Sequence, residues 1–296
     1  MLKANPDHVA DPATLSPVED GGAAERVLGE IRALGLEKNA WELDTRGYTV
    51  LAPDQVAPLA FTRHMRDAIL AHSEEVSGVR PDLETGASHK ELTRLGRSQF
   101  LPDILFADRV FEEALMTRSV LALTSYLLGE SCRLDAINAV IKGPGPEYLP
   151  LHADANQPAP LPPYAQVANV TWLLSDYDVA NGATVFMPGS HKWGRHPVGA
   201  ESTDLSQTVA IEAPAGSVLI WHGNSWHGAL PRTEPGLRIS LVTFFSRHYI
   251  RPPKETYASK LTQEMLDRNP PRFARLVDRE VMNIATQHIC RFSQFG

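Results

Sequence analysis

The spacing of apolar residues changes character partway along the chain. Up to residue 129 they recur mostly every three or four positions, which predicts helices. Residues 23–34 place Val27, Leu28, Ile31 and Leu34 on one face, and Gly35 follows as a stop signal. Segments 54–72 and 108–128 predict two longer helices, opened by Asp54 and capped by Asp108. Between the helices, the run GYTVL at 47–51 predicts a short strand.

From residue 133 onward, short β-rich runs follow one another and are separated by Gly, Pro, Asn and Asp. This pattern is typical of an antiparallel sandwich or barrel and disfavours βαβ units. The helices of the front part are expected to cover one face of that sheet. Helical spacing returns over 254–296, interrupted at Asn269-Pro270-Pro271. The six predicted strands are LDAINAVIK, QVANVTWLL, ATVFM, TVAIEA, SVLIWH and RISLVTFF.

The sequence predicts one domain over 23–296, preceded by a loose tail over 1–22. Its parts are a helical front (23–129), a β-rich core (133–250) and C-terminal helices (254–296). The polar stretch 73–100 is expected to be a mobile loop, and long loops in enzymes often act as lids.

Charge and cysteine content exclude several classes of protein. The 28 basic and 35 acidic residues give a net charge of −7, and no basic run stands out, which argues against nucleic-acid and anionic-membrane partners. Two cysteines are too few for a disulfide framework, so a reducing, cytoplasmic location is expected. No apolar run reaches membrane-spanning length.

The run LHAD contains a possible pair of metal ligands. His152 and Asp154 are two positions apart, and on an extended strand such side chains point to the same face. Two ligands on one face can bind one metal ion, although His-X-Asp also occurs by chance in many chains.

The run GSVLIWHGNSWHGA offers a third ligand, either His222 or His227. Two histidines and one carboxylate leave three adjacent positions open on an octahedral Fe(II), which suits oxygen activation. The same ligand types also suit zinc, so the triad alone does not identify the metal.

Arg238 lies between apolar strand residues, where an unpaired guanidinium would be very costly. Ser240, two positions on, points to the same face, and together they could bind a carboxylate. The alternative is a structural ion pair between Arg238 and a distant Asp or Glu.

Taken in order, LHAD, NGATVFMPGSHK, GSVLIWHGNSWHGA and a Gly-X-Arg-X-Ser strand resemble the phytanoyl-CoA dioxygenase family of Fe(II)- and 2-oxoglutarate-dependent oxygenases. The resemblance covers roughly 138–247. It implies a mainly β fold with flanking helices, in which 133–250 form a double-stranded β-helix, a jelly roll related to the cupins.

The resemblance also implies roles for individual residues. His152, Asp154 and His227 match the metal ligands, and His222 is then expected to pack near the site. Arg238, with Ser240 assisting, matches the residue that binds the far carboxylate of 2-oxoglutarate. These four residues, His152, Asp154, His227 and Arg238, form the expected catalytic set.

Two further polar residues are expected to face the pocket. Thr171 in QVANVTWLL, which shares a face with Asn169, and Asn138 in LDAINAVIK are polar positions within apolar strands. Polar groups inside a barrel need partners, and 2-oxoglutarate would supply one. Either side chain could instead bind neighbouring backbone. His191, within the Pro-Gly-Ser-His turn, is expected to fix its loop.

The implied activity is hydroxylation of a C–H bond in a small organic substrate, with 2-oxoglutarate and O2 converted to succinate and CO2. Desaturation or ring closure remain alternatives, whereas the retained Asp154 disfavours halogenation. Rival interpretations are a zinc hydrolase and a non-catalytic, cupin-like metal-binding protein. Substrate walls are expected from loops 73–100 and 156–164 and the C-terminal helices, with Arg97, Gln99 and Trp226 as candidate contacts. The oligomeric state is left open.

Overall fold

The computed structural model of the chain describes residues 22–86, 98–250, 257, 259–283 and 288–291. The predicted tail (all but its last residue), the centre of the predicted lid and Arg97 lie outside these residues.

Two antiparallel sheets face each other and form the core of the fold. The larger has the strand order β1-β8-β5-β10-β3-β2, and the smaller has the order β4-β9-β6-β7. Strands β3 to β10 pass between the two sheets in jelly-roll order, so the predicted mainly β core is confirmed. The strands are β1 (Tyr48–Leu51), β2 (Ser98–Leu101), β3 (Arg133–Lys142), β4 (Leu149–His152), β5 (Val167–Leu173), β6 (Thr184–Phe186), β7 (Val209–Ala210), β8 (Val218–His222), β9 (His227–Ala229) and β10 (Arg238–Ser246).

Side-chain alternation gives the large sheet two different faces. In β10, Ile239 and Leu241 belong to the main apolar cluster, which the helices cover. Arg238 and Ser240 point the other way, toward the small sheet, where they line a cavity. The cavity therefore lies between the two sheets, and its polar residues come from strands whose opposite face is apolar.

Five helices cover the large sheet, and two of the predicted helix boundaries are wrong. Segment 54–72 is not one helix, because Ala57 precedes Pro58 and a residue before proline disfavours the α conformation; the helix begins at Leu59. Segment 108–128 divides at Thr117, whose ψ of 123° is extended, although Asp108 caps the first half as predicted. The helices are α1 (Ala23–Ala33), α2 (Glu37–Arg46), α3 (Leu59–Ser77), α4 (Arg109–Leu115) and α5 (Arg118–Leu128).

The C-terminal part is only partly helical. Helices α6 (Gln263–Arg268) and α7 (Pro271–Leu276) are separated at the predicted proline break. Strands β11 (Glu280–Asn283) and β12 (His288–Arg291) then form a hairpin, so the prediction of helices throughout 254–296 is wrong there. The predicted loop 73–100 is also shorter, because α3 extends to Ser77 and β2 begins at Ser98. Within the described residues, no helix has the length and apolarity needed to span a membrane.

Candidate metal centre

Strands β4 and β9 bring together the three predicted metal ligands. His152, at the end of β4, is paired in register with His227 at the start of β9. Asp154 follows two residues later, and its backbone N–H donates to the Gly223 carbonyl at 2.9 Å. The Asp154 carboxylate lies 3.5 Å from His152 Nε2 and 3.3 Å from His227 Nε2. The ligand atoms of all three residues lie within 4.8 Å of one another, which is compatible with one shared metal ion.

Backbone carbonyls fix the orientation of both imidazoles. His152 Nδ1 lies 2.9 Å from the Pro150 carbonyl, and His227 Nδ1 lies 3.1 Å from the Ser225 carbonyl. A carbonyl only accepts, so each Nδ1 is the donor in its contact, and in the neutral imidazole the lone pair is then on Nε2. Both Nε2 atoms are the ones near Asp154, as a metal site requires.

The Asp154 carboxylate is itself held by two donors that sequence reasoning did not assign. Asn169 Nδ2 donates to Asp154 Oδ2, and Trp221 Nε1 donates to the same oxygen at 3.1 Å. The signal for Asn169 was present in the sequence, since it shares a strand face with Thr171. Nothing in the sequence alone indicated that Trp221 would reach Asp154.

Burial and charge act in opposite directions on the ligand pKa values. Burial raises the pKa of Asp154, but the nearby His227 and a hydrogen bond with His152 outweigh it, and the pKa lies below its ordinary value. Burial lowers the pKa of His227, and Asp154 only partly offsets this. Burial also lowers the pKa of His152, yet the contact with Asp154 dominates and the pKa is raised. At neutral pH, Asp154 is therefore ionised and His227 is neutral, which are the forms that bind a metal.

The structure places His222 and His191 away from the three ligands. The His222 ring contacts His191, with ring centroids 5.3 Å apart, and its Nδ1 accepts from the Asn224 N–H at 3.1 Å. Burial, and then the nearby His191, lower the pKa of His222 to about 3. His191 Nε2 contacts the Asp44 carbonyl at 3.2 Å, so that histidine links its turn to the end of α2.

Arg238 and the three ligands line one cavity of about 200 Å³ between the sheets. One guanidinium nitrogen of Arg238 donates to the Gly182 carbonyl, and the group lies 4.9 Å from the centre of the Tyr177 ring. Arg238 Nε is buried and has no hydrogen-bond partner among the described residues. The structural ion pair considered for Arg238 is absent from the described residues, so the guanidinium of this cavity-lining residue has no carboxylate partner there.

Two of the three other predicted pocket residues line the cavity, and the third does not. Ser240 and Thr171 line the cavity with Arg238. Asn138 is on the same face of β3 as the cavity-lining Val140, but the Asn138 Oδ1 accepts the Asp103 N–H at 3.2 Å. Asn138 is not among the described residues of the cavity wall.

Lys142 is a second buried cation, which the sequence reasoning did not single out. It lies directly opposite Arg238 in the register of β3 and β10, and its Nζ donates to the Leu230 carbonyl at 2.6 Å. Burial, followed by repulsion from Arg238, lowers the pKa of Lys142 to about 7. The sequence feature that could have indicated this role is the position of Lys142 at the end of the apolar run LDAINAVIK.

Two of the candidate substrate contacts lie elsewhere. Gln99 is buried and accepts from Ser73 Oγ at 2.6 Å. Trp226 is 1% exposed, and its Nε1 donates to the Arg195 carbonyl at 2.8 Å. The third, Arg97, lies outside the described residues.

Of the predicted substrate walls, Phe100 alone is among the described residues that line the cavity. The full lining is Phe100, Val140, Leu149, His152, Asp154, Thr171, Tyr177, Thr184, Trp221, His227, Gly228, Ala229, Arg238, Ser240, Val242 and Phe244.

The donor set fits a divalent metal together with an anionic co-ligand. Two imidazole nitrogens and one carboxylate bind first-row metals such as iron, and three ligands leave positions for other molecules. The free donor of Arg238 fits an anion at the other end of the cavity.

Comparison with known proteins agrees with this geometry. A model of the phytanoyl-CoA dioxygenase (PhyH) family matches residues 43–240, which is more than half of the chain. "Dioxygenase af480" from Aspergillus fumigatus is 31% identical over 182 residues, covering 60% of this chain and 57% of that protein. "Dioxygenase ALT11" from Alternaria alternata is 30% identical over 124 residues, covering 40% of each chain. The matches thus span less than two thirds of the length of these relatives.

Solved structures share the fold at low sequence identity. HygX from Streptomyces hygroscopicus, with nickel, 2-oxoglutarate and hygromycin B bound, superposes with a TM-score of 0.58 at 18% identity. That match covers 74% of this chain and 90% of HygX. The carbocyclase SnoK from nogalamycin biosynthesis gives a TM-score of 0.56 at 18% identity, covering 76% of this chain and 90% of SnoK.

Proposed function

Because the chain belongs to the phytanoyl-CoA dioxygenase family, we propose that it is an Fe(II)- and 2-oxoglutarate-dependent dioxygenase that hydroxylates a C–H bond of a small organic substrate. 2-Oxoglutarate and O2 are consumed, and succinate and CO2 are formed. The proposal includes a reducing, cytoplasmic setting, in keeping with a chain of only two cysteines.

Each residue of the site has a defined task in this proposal. His152, Asp154 and His227 hold the Fe(II), which supplies the oxygen-activating chemistry when bound. Arg238 orients 2-oxoglutarate by its far carboxylate, with Ser240 and Thr171 lining the same cavity. The buried walls exclude water and hold the substrate carbon close to the metal.

One observation carries the proposal: the triad shares a single cavity with a buried arginine that has no carboxylate partner among the described residues. A zinc hydrolase with the same ligands needs a general base for its water and has no use for a guanidinium there. A dicarboxylate that spans the cavity accounts for both ends of the site. Asn138, expected to reach 2-oxoglutarate, stays a prediction, because its Oδ1 already accepts from the backbone.

The cavity wall favours a substrate with an apolar body. Phe100 and Leu149 are 50% and 48% exposed, and they line the cavity together with Val140, Val242 and Phe244. An apolar molecule that covers these side chains removes their surface from water, which stabilises the complex. Natural products bound or processed by the structural neighbours, such as hygromycin B in HygX, are consistent with a small-molecule substrate.

Hydroxylation is favoured over halogenation because the chain keeps the carboxylate ligand Asp154. Family relatives in structure include an epimerase and a carbocyclase, so epimerisation, ring closure and desaturation are the other outcomes that product analysis would distinguish.

Binding of 2-oxoglutarate tests the proposal without knowledge of the substrate. Purified protein is titrated anaerobically with Fe(II) and then with 2-oxoglutarate, and the visible charge-transfer band of the complex is followed. We expect the band in the native protein and its loss in Asp154→Ala, with Thr243→Val, a buried change outside the cavity, behaving as the native protein. A protein that binds metal but gives no band would refute the oxygenase proposal and favour hydrolysis. Succinate formation in air, measured over a panel of apolar natural products, then identifies the substrate.

A further inference from the structure

We propose that Asn169 and Trp221 are positioning residues that anchor the Asp154 carboxylate by its Oδ2 atom and leave Oδ1 as the oxygen offered to the metal. The inference rests on the proposed function, which makes His152, Asp154 and His227 a metal site. Its basis is the pair of donors that converge on one oxygen: Asn169 Nδ2, and Trp221 Nε1 at 3.1 Å.

The two donors come from a rigid part of the molecule. Asn169 and Trp221 are direct partners in the antiparallel register of β5 and β8, so their side chains leave the large sheet side by side. Both residues are buried, with exposures of 0% and 4%. Asp154, in contrast, lies beyond the end of β4 in irregular structure. The sheet therefore supplies the fixed frame, and the loop carboxylate is held against it.

The number of hydrogen bonds distinguishes the two carboxylate oxygens. A carboxylate oxygen has two lone pairs, and the two donors occupy both lone pairs of Oδ2. Oδ1 lies 3.5 Å from His152 Nε2 and Oδ2 lies 3.3 Å from His227 Nε2, and among the described residues Oδ1 receives no hydrogen bond from an amide or indole N–H. Oδ1 therefore remains available for a metal bound through a single oxygen.

The side-chain oxygen of Asn169 has no hydrogen-bond partner among the described residues, which indicates that the asparagine has a functional role. This Oδ1 atom is buried. Leaving a buried acceptor unpaired is costly, and an apolar residue of similar size would avoid that cost. The contact with Asp154 explains why an asparagine stands at this position of a mostly apolar strand.

Asn169→Leu and Trp221→Phe test the inference by metal binding. Leucine removes both polar ends of the amide at similar size, and phenylalanine keeps an aromatic ring but lacks the indole N–H. We expect each variant to bind Co(II) about ten- to a hundredfold more weakly in isothermal titration calorimetry, the usual effect of losing a group that orients a metal ligand. The absorption spectrum of bound Co(II) should also change. Circular dichroism of each variant checks that the fold is retained, because losing a donor leaves the buried Asp154 carboxylate with one hydrogen bond fewer.

Thr243→Val is the matched control, because Thr243 is a buried polar strand residue whose contact is with the Val170 carbonyl, away from Asp154. It should leave Co(II) affinity unchanged. If Asn169→Leu and Trp221→Phe both bind Co(II) within about twofold of the native protein, the two residues are structural and the inference is wrong. If the native protein itself fails to bind Co(II), or binds it equally well after His152→Ala, the proposed metal site is refuted instead.

Discussion

Arg238 and Lys142 lie directly opposite each other on strands β10 and β3, and both are buried. Neither forms an ion pair with a carboxylate of the described residues. Arg232 adds a further positive charge to this region, and Glu147 is the acid that partly offsets it at Lys142. Adjacent buried cations are unfavourable unless an anion joins them, so an anion on Arg238 would relieve the repulsion at Lys142.

Binding of 2-oxoglutarate is therefore expected to take up a proton. In the free protein the pKa of Lys142 is about 7, because of burial and then of repulsion from Arg238. A bound dianion favours the charged ammonium and raises this pKa. The protonated protein then binds more tightly, and affinity should fall as pH rises above about 7. Calorimetry of the metal-loaded protein, in two buffers of different ionisation enthalpy, measures the proton uptake.

Lys142→Met provides the comparison for this pH effect. Methionine keeps much of the length of the side chain without its charge, so proton uptake and the fall in affinity above neutral pH should both disappear. An unchanged pH dependence in Lys142→Met would show that another group is responsible.

Arg238→Lys should weaken 2-oxoglutarate binding and leave metal binding intact. Lysine keeps the positive charge but loses the planar fork that binds a carboxylate with two hydrogen bonds. A hydrogen bond to a charged group contributes about 1.5–3 kcal/mol, which corresponds to roughly ten- to a hundredfold in affinity. Titration of the Fe(II) protein with 2-oxoglutarate measures this loss, and Co(II) affinity is the internal control. Equal affinity for 2-oxoglutarate in both proteins would remove Arg238 from the co-substrate site.

His222 and His227 should respond differently to replacement by glutamine. His227→Gln should abolish Co(II) binding, because one of the three ligands is lost. His222→Gln should bind Co(II) normally, since His222 points away from the ligands and pairs with the Asn224 N–H. Metal bound by His227→Gln but not by His222→Gln would reverse the assignment of the third ligand.

His222 should also contribute to acid sensitivity. Its pKa is about 3 in the folded protein, chiefly because of burial, against an ordinary value near 6.5. As pH falls below 6.5 the unfolded chain takes up a proton that the folded protein does not, so stability is lost progressively until pH reaches about 3. Urea unfolding at pH 7 and pH 5 should show a smaller loss of unfolding free energy in His222→Gln than in the native protein. An equal loss would mean that His222 does not set this pH dependence.

Gly228→Ala should disturb the metal site through the backbone. A Cβ atom at Gly228 would lie 2.4 Å from the Leu149 carbonyl oxygen, on the strand that carries His152. Strands β4 and β9 must then separate, and such overpacking typically costs about 1–3 kcal/mol. We expect a lower melting temperature and weaker Co(II) binding together. Gly29→Ala, in a helix where an added Cβ meets no atom within 4 Å, is the control. It should leave Co(II) binding unchanged, and its melting temperature should equal or exceed that of the native protein, because alanine favours a helix over glycine.

Some of the site residues could be predicted from the sequence, and others could not. His152 with Asp154, and Arg238 with Ser240, are each two positions apart, so the alternation of an extended chain predicts that they share a face, although Asp154 lies just beyond the end of β4. Asn169, Trp221 and Lys142 act through partners on distant segments, and their roles depend on which strands become neighbours. The pairing register of distant strands cannot be deduced directly from a single sequence.

The accuracy of the predicted helix boundaries was limited for a different reason. The apolar spacing located the helical segments of the front part except α2 (Glu37–Arg46), but local backbone restrictions decided where the helices begin and end. Pro58 delays the start of α3, and the extended Thr117 separates α4 from α5. The short strands β4 and β9 were not predicted, because β4 contains Pro150 and β9 contains Gly228, and both residue types disfavour a strand assignment.

The pairing of β4 with β9 has a consequence for how the protein matures. These strands are separated in the chain by β5 to β8, so the pairing of His152 with His227 joins segments that are far apart in the sequence. Contacts of such long sequence separation form slowly. Partly folded or truncated chains that lack β9 should therefore show little affinity for iron, and metal uptake during refolding would report completion of the barrel.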